Sequence, residues 1–541
     1  MKKLCIFISF IFLAVTFSSC ETDKKETATH PDYLRVPLGS EVPTLDPGVA
    51  QDNQAIEVIE QLFTGLTTYD SKTYEVKPSL ATSWDVSNGG KTYTFNMRKD
   101  AKWTTGEPVT AHDIVYAIRR NILPETASPY AFVLFIIENA QDINSGKIKD
   151  AKKIGVKAVD DYTVQFNLNS PAAFFPSIAG MWTLRPQHRK TIEKHGTRWT
   201  DPENIVTCGS YNLEKWDRGN TIVLKKNPDF FDAANTKIEE VHYLIVREAS
   251  TALAMYENDE LDLIGIEHQA IPAPEIPRVK ADPVLSKQYS IYPRFGTYYL
   301  AFNNERPPVD NPLVRKAISA AIDRQAVIDK VVRGDQTPAT TFTSPPVFGA
   351  VDPSEGIGIG YDPEQAKKWL AEAGYPGGKG IPEIIYMHNT SERHAQIAQA
   401  VQAMLKRNLG IDVKIQNQEW KVYLKSTTQP DAPHMFRFGW GADYPDANNF
   451  LSENFHPFKS LNRIRWKNQE FADLMDKAVS STDPQERIKM YRRAEQILCE
   501  EEAALAPIYF DTAQYLSKPY LKWNFIALGG QHVREWYFTD K

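Results

Sequence analysis

HMFRFGWGADYPDANNFLSENFH, residues 434–456, begins as a strand and stops abruptly. Successive side chains on a pleated backbone point to opposite faces, so His434, Phe436, Phe438 and Trp440 share one face and Met435, Arg437 and Gly439 the other. The alternation ends at Gly441, and Asp443 follows in a turn-rich run containing Pro445, Asp446 and Asn448. Arg437 therefore faces away from the aromatic stripe. A cation on a strand face, a large aromatic and an acid just past the strand end could together hold a zwitterion. The plainer reading is a core strand with a solvated arginine and a turn aspartate, and the rest of the chain has to decide between them.

With 541 residues, 42% of them hydrophobic and 24% charged, the chain can bury more than one large core, and two or three lobes are expected. Its 62 basic and 68 acidic residues give a net charge of −6 with no basic stripe, a poor composition for nucleic-acid binding. Lys2 and Lys3 precede a 14-residue apolar run, Leu4 to Phe17, which fits a signal-peptide core and falls short of the roughly 20 residues of a membrane span. Ser18, Ser19 and Cys20 follow and resemble a bacterial lipoprotein signal, which implies lipidation at Cys20. Phe17 departs from the leucine usual at that place, and simple secretion stays open. The polar segment 21–32 reads as a flexible tether. Of the two cysteines in the body, Cys208 and Cys499, both are expected as free thiols, and no CxxC, HExxH or clustered Cys/His spacing supports a zinc site.

Along the body, Ile56, Ile59, Leu62 and Phe63 predict a helix over 55–66, and Gly89-Gly90 predicts a hairpin turn before the alternating strand 91–98. A helix capped by Thr110 follows. Between Asp310 and Gly334, Leu313, Ala317, Ile318, Ala321 and Ile322 form one apolar face, with Asp310 or Asn311 as cap and Pro312 in the first turn. Asp362, Pro363 and Gly374 bracket another helix; a third runs from Ser391 to Leu409, stops at Gly410, and leads to the strand IDVKIQNQEW. Helix and strand in alternation indicate an α/β lobe in the second half.

Several blocks in fixed order resemble the extracytoplasmic solute-binding proteins of peptide-type ABC importers (solute-binding family 5), and within them the oligopeptide-binding proteins. They are QLFTGLTTYD, PSLATSWDVSNGGKTYTFNMRKDAKWTTGEPVTAHDIVYA, CGSYNLEKWDRGNTIVLKKNPDFF, TYYLAFNNERPPVDNPLVRKAISAAIDRQAVI and GWGADYPDANNFL. The resemblance implies a periplasmic-binding-protein type II fold, two mixed α/β lobes joined by a hinge with an additional domain in the N-terminal half. The implied divisions are a signal peptide over 1–20, a tether over 21–32, a discontinuous lobe I (33–62, 190–294, 512–541), an extra domain II (63–189) and a lobe III (295–511). It further implies an exported monomer with no cofactor, placed in the periplasm or on the outer face of the cell membrane, that captures short peptides between closing lobes and delivers them to an ABC permease in the cytoplasmic membrane.

For an extended peptide such a receptor needs fixed terminal charges and roomy lateral pockets. The resemblance assigns the ligand's α-ammonium to Asp443, in a motif that Trp440, Ala442, Asp443 and Tyr444 reproduce. It assigns the α-carboxylate to Arg437, and that of peptides of other lengths to His394 or Arg306. Arginine suits the task because its fork grips a carboxylate with two parallel hydrogen bonds. His394 also extends the apolar stripe of Ile397, Val401 and Met404, and Arg306 also reads as a loop charge. Tyr130, Trp420 and Trp440 match cleft positions. Gln51 stands where some relatives carry a glutamate, and Gly296 and Gly441 stand where some place a cysteine pair. Two other readings stay open: the same architecture binding a dipeptide, a murein peptide or a metal chelate, and a secreted hydrolase using Asp443 and Asp446.

Overall fold

The computed structural model describes residues 32–539 except 266–267, 459, 461 and 529, and except the side chains of 420 and 421. The signal segment, Cys20 and all but the last residue of the tether lie outside the described residues. Among those described, no helix is long and apolar enough to cross a membrane, no group of three His, Cys, Asp or Glu is placed to hold a metal, and Cys208 and Cys499 are buried and unbonded to one another.

Two four-stranded sheets occupy the N-terminal half. In one, Leu34–Leu38 runs parallel to Glu240–Ile245, and Thr221–Lys226 and Tyr211–Asp217 complete it antiparallel. In the other, the hairpin Ala81–Ser87 and Thr92–Met97 turns at Gly89-Gly90 and is joined by Thr163–Asn167 and Val156–Asp160. Helix Ala111–Ile122 packs on this second sheet through Ile114, Val115 and Ile118, and its start is fixed by the reciprocal bonds of Thr110 and Asp113.

A third sheet of seven strands carries the second half, in the order Leu263–Gly265, Leu505–Ser517, Tyr289–Phe302, Met435–Gly441, Ile384–Asn389 and Val413–Gln418, with Thr337–Pro338 paired at the side. Its period of two is visible in its packing. Leu300, Met435 and Tyr386 face a core shared with Val314, Leu370 and Val401 from three helices. Their neighbours Ala301, Phe436 and Met387 face a second core with Phe450, Phe471 and Leu498. Both faces are therefore covered by helices, as expected of an α/β lobe.

Two of these strands belong to both halves of the molecule. Tyr289–Phe302 and Leu505–Ser517 pair antiparallel along nearly their whole length, with a register break between Pro293 and Thr297 and a smaller shift between Tyr298 and Tyr299. On one side of the break Ala513 and Tyr515 join the core of Leu34 and Val36. On the other side Leu300 and Ala506 join the core of the second half. The lobe boundaries implied at 295 and 512 fall inside this paired ribbon.

Most caps lie where the sequence placed them. Asn311 accepts from the Leu313 N–H at 2.9 Å, Asp362 from Gln365 at 2.9 Å, and Gly410 ends helix Glu392–Leu409 at φ 72°, a conformation that costs glycine little. The helix expected to run toward Gly334 does not: it stops after Pro312–Ala320, and Asp323 caps a new one, Arg324–Val327, by accepting from Ala326 at 2.9 Å. Buried Arg324 stabilises the break, donating to the Ser319 and Ile322 carbonyl oxygens and, across the lobe, to Pro507. Trp420 likewise heads a helix, Trp420–Ser426, where the sequence extended a strand.

Candidate functional site

Strand Met435–Gly441 delivers Asp443 and Arg437 to different surroundings. At its C-terminal end the chain turns into helix Ala447–Phe455, which Asp446 caps by accepting from the Asn448 N–H at 3.0 Å. Asp446 is only 5% exposed. Its other bonds come from the Arg487 guanidinium at 2.6 Å and the Tyr491 hydroxyl at 2.9 Å. This acid is committed to the scaffold, which removes it as the partner that the hydrolase reading requires.

Asp443 differs in every respect. It is half-buried, and among the described residues its carboxylate has no cationic partner and accepts one long hydrogen bond, from Asn449 Nδ2 at 3.4 Å. The surrounding protein holds its carboxyl above the usual aspartate range, with Asn449 opposing the rise. Asn449 Oδ1 accepts from both the Asp443 backbone N–H and the Trp440 indole N–H, each at 3.0 Å. Asn449 Nδ2 also donates to Glu453 Oε2 at 2.8 Å. Glu453 accepts in addition from the Tyr444 hydroxyl, and Tyr444 stacks on Phe174 of the N-terminal half at 4.9 Å. Part of Glu453 reaches the surface, yet burial of its carboxyl by the surrounding protein raises its pKa, and the neighbouring Asp443 charge adds to the rise.

Beside Asp443 lies a cavity of about 120 Å³, room for several waters. Tyr130 and Trp182, in edge-to-face contact at 4.8 Å, form one wall. The buried ion pair Arg185–Glu60 and His532 form another. Tyr130 is close enough for the Asp443 charge to raise its hydroxyl pKa, in addition to the larger effect of burial. The exposed Gln51 is not part of this lining.

Arg437 faces the opposite side of the strand, as the alternation required. Its guanidinium lies 4.9 Å from the Tyr298 ring centre and donates to Asn389 Oδ1 at 3.2 Å. Among the described residues it has no carboxylate partner, and its Nε is buried without an acceptor. His394, in the first turn of helix Glu392–Leu409, shares Tyr298: its Nδ1 is 3.4 Å from the phenol oxygen. Burial first, then the Arg437 charge, push the imidazole pKa down to about 3, so His394 is neutral at physiological pH. Ser391 precedes the helix without a side-chain capping bond, which leaves that first turn's N–H groups to other acceptors.

The structure thus brings Arg437 and His394 together around Tyr298, and Asp443 and Tyr130 together at the cavity, with Trp440 tied to Asp443 through Asn449. Arg306 joins neither group. It follows the end of Tyr289–Phe302 where Phe302 pairs with Met435, a full strand length from the Gly296–Gly441 pair, and it donates to the carbonyl oxygens of Asp431 and Ala432 at 2.9 and 2.8 Å. Its charge fastens a loop. Gly296 and Gly441 lie directly opposite one another. A Cβ on Gly296 would come within 2.7 Å of Asp511 Oδ2. Asp511 is half-buried and its carboxyl is held high by its surroundings, against the charges of Arg294, Arg437 and Arg393.

Asn449, Glu453, Tyr298 and Asp511 were not anticipated. The first two had a signal available, a polar pair spaced i, i+4 on the helix that starts one turn after Asp443. Asp511 had one too, as the only charge in an apolar strand.

Residues 75–462 match the model for bacterial extracellular solute-binding proteins, family 5. The chain belongs to this family. It is 33% identical over 551 aligned residues to the oligopeptide-binding protein OppA of Bacillus subtilis, covering 99% of each chain. Among solved structures it resembles the periplasmic murein tripeptide-binding protein MppA in its unliganded open form, with TM-score 0.84 and 33% identity over 94% of this chain and 98% of that one. It resembles Haemophilus influenzae OppA in complex with the peptide RPPGFSPFR at TM-score 0.69 and 33% identity, over 94% and 99%. At equal identity and nearly equal coverage, this chain superposes better on the unliganded open form of MppA than on the peptide complex of OppA.

Proposed function

We propose that this solute-binding protein captures short peptides between its lobes and hands them to an ABC permease in the cytoplasmic membrane, while a lipid at Cys20 holds it to the membrane as a monomer. Asp443 takes the ligand's α-ammonium. Arg437 takes the α-carboxylate of the shortest ligands and His394 that of longer ones, as a neutral hydrogen-bond donor. Tyr130 and Trp440 border the first side chain. The observation that carries this reading is the pair of charges toward the two ends of one strand, Asp443 and Arg437, neither of them in a salt bridge among the described residues. Uncompensated charges in enclosed surroundings are costly unless a ligand completes them. Six residues span at most about 20 Å, and a peptide of three to five residues spans about 10 to 17 Å, so one ligand can reach both.

Native mass spectrometry of protein purified without refolding tests this. Co-purified peptides of mixed sequence and narrow length are expected. A bound chelate or lipid, or a bare mass that free peptides fail to shift, would overturn the peptide assignment.

A further inference from the structure

Asn449 is 0% exposed, and a single carboxamide serves two groups that the peptide reading uses. Its orientation follows from chemistry. The Trp440 indole nitrogen and the Asp443 backbone nitrogen can only donate, so the oxygen of Asn449 must face them, and its NH₂ must face the carboxylates of Asp443 and Glu453. The carboxamide is itself held from below. It stands in the first turn of helix Ala447–Phe455, whose start is clamped by the buried pair of Asp446 and Arg487. Glu453, one turn further on, holds its NH₂.

The division of labour matters for binding. Asn449 anchors Asp443 through the backbone at 3.0 Å and touches the carboxylate only at 3.4 Å. The Asp443 oxygens therefore keep most of their lone pairs for a ligand while the residue cannot swing away. The same oxygen of Asn449 fixes the plane of the indole beside it.

We propose that Asn449 is the positioning residue of the ammonium end of the cleft, and that by setting Asp443 and Trp440 together it gives the site its preference for a free primary ammonium over an acylated N-terminus. The proposal rests on the assignment of Asp443 to the ligand's ammonium.

The test measures Kd by calorimetry for one tetrapeptide and its N-acetyl counterpart, in the unmodified protein and in Asn449→Ala. The unmodified protein is expected to favour the free peptide. Asn449→Ala is expected to shrink that preference by about tenfold, a loss carried by the free peptide alone, with the acetylated one bound as before. If the alanine variant does not fold, Asn449→Ser is read by the same criterion. A second measurement needs no variant of Asn449: with Trp440→Phe used to assign it, the Trp440 indole proton should exchange slowly with solvent.

An unchanged preference in Asn449→Ala, a parallel loss for both peptides as a merely structural residue would give, or rapid exchange of that proton each overturn the proposal. If the unmodified protein binds free and acetylated peptides alike, the assignment of Asp443 fails and this inference falls with it. If it discriminates and the variants discriminate equally, only the role of Asn449 fails.

Discussion

Asp443 and Asp446 are three residues apart, and replacing each in turn separates ligand chemistry from scaffold. Asp443→Asn removes a carboxylate that has one long hydrogen bond and no cation. Its folded pKa is raised, so ionisation at neutral pH works against the fold, and a neutral amide should leave stability unchanged or slightly higher. Affinity behaves otherwise. A hydrogen bond to a charged group is worth about 1.5–3 kcal/mol, so Kd for a free peptide should rise about ten- to hundredfold. Asp446→Ala does the reverse. It strips the buried Arg487 of its counter-ion at 2.6 Å and helix Ala447–Phe455 of its cap. Leaving such a charge alone costs about 3–5 kcal/mol. Calorimetry and urea unfolding read the two effects separately. Unchanged peptide affinity in Asp443→Asn refutes the ammonium assignment. Lost affinity with intact stability in Asp446→Ala would revive the paired-acid reading.

Arg437→Met should change stability by less than about 1 kcal/mol, because the lost contacts with Tyr298 and Asn389 are offset by removing a half-buried guanidinium whose Nε has no acceptor. It should weaken three-residue peptides far more than five-residue ones, and equal weakening across a calorimetric length series refutes the division between Arg437 and His394. The His394 ring should stay neutral in an NMR titration of the unliganded protein down to about pH 4, since its pKa is pushed to about 3; a midpoint near 6.5 contradicts that. By the same shift this histidine contributes stability that is lost as the pH falls from about 6.5 toward about 3. Peptide affinity should itself decline on acidification at a pH above that of an ordinary aspartate, because Asp443 must be ionised to hold an ammonium and its carboxyl titrates high. An affinity that stays flat down to the ordinary aspartate range contradicts it. Gly296→Cys with Gly441→Cys should oxidise to a cross-strand disulfide once the Asp511 carboxylate turns aside, as residues directly opposite in antiparallel strands lie within bonding reach. Two free thiols persisting after mild oxidation would contradict the register.

Local rules made much of this chain legible. The alternation over 435–441 assigned Arg437 its face, and Thr110, Asn311, Asp362 and Gly410 set helix ends because caps and left-handed turns are decided within four residues. Distant partners hid the rest. Nothing near Ala321 announces that Arg324 will donate to Pro507. Nothing in NNERPP says that Arg306 will be occupied by Asp431 and Ala432. Asp443 and Asp446 look alike in a turn-rich run, and only Arg487, forty-one residues past Asp446, tells them apart. The meeting of Arg437 with His394 depends on Tyr298, contributed by a neighbouring strand.

A joint made of loops would let two lobes rest at any angle. Here the connection is a ribbon: Tyr289–Phe302 and Leu505–Ser517 remain hydrogen-bonded to each other on both sides of the break at Pro293 and Thr297. Rotating one lobe on the other must twist that ribbon, and a twisted pair of strands exerts a restoring torque. The joint is therefore elastic, with a rest angle written into its backbone pairing. On the peptide reading proposed above, a peptide that shuts the cleft does work against it, and the same torque is returned as a push toward release when the ligand's grip is loosened.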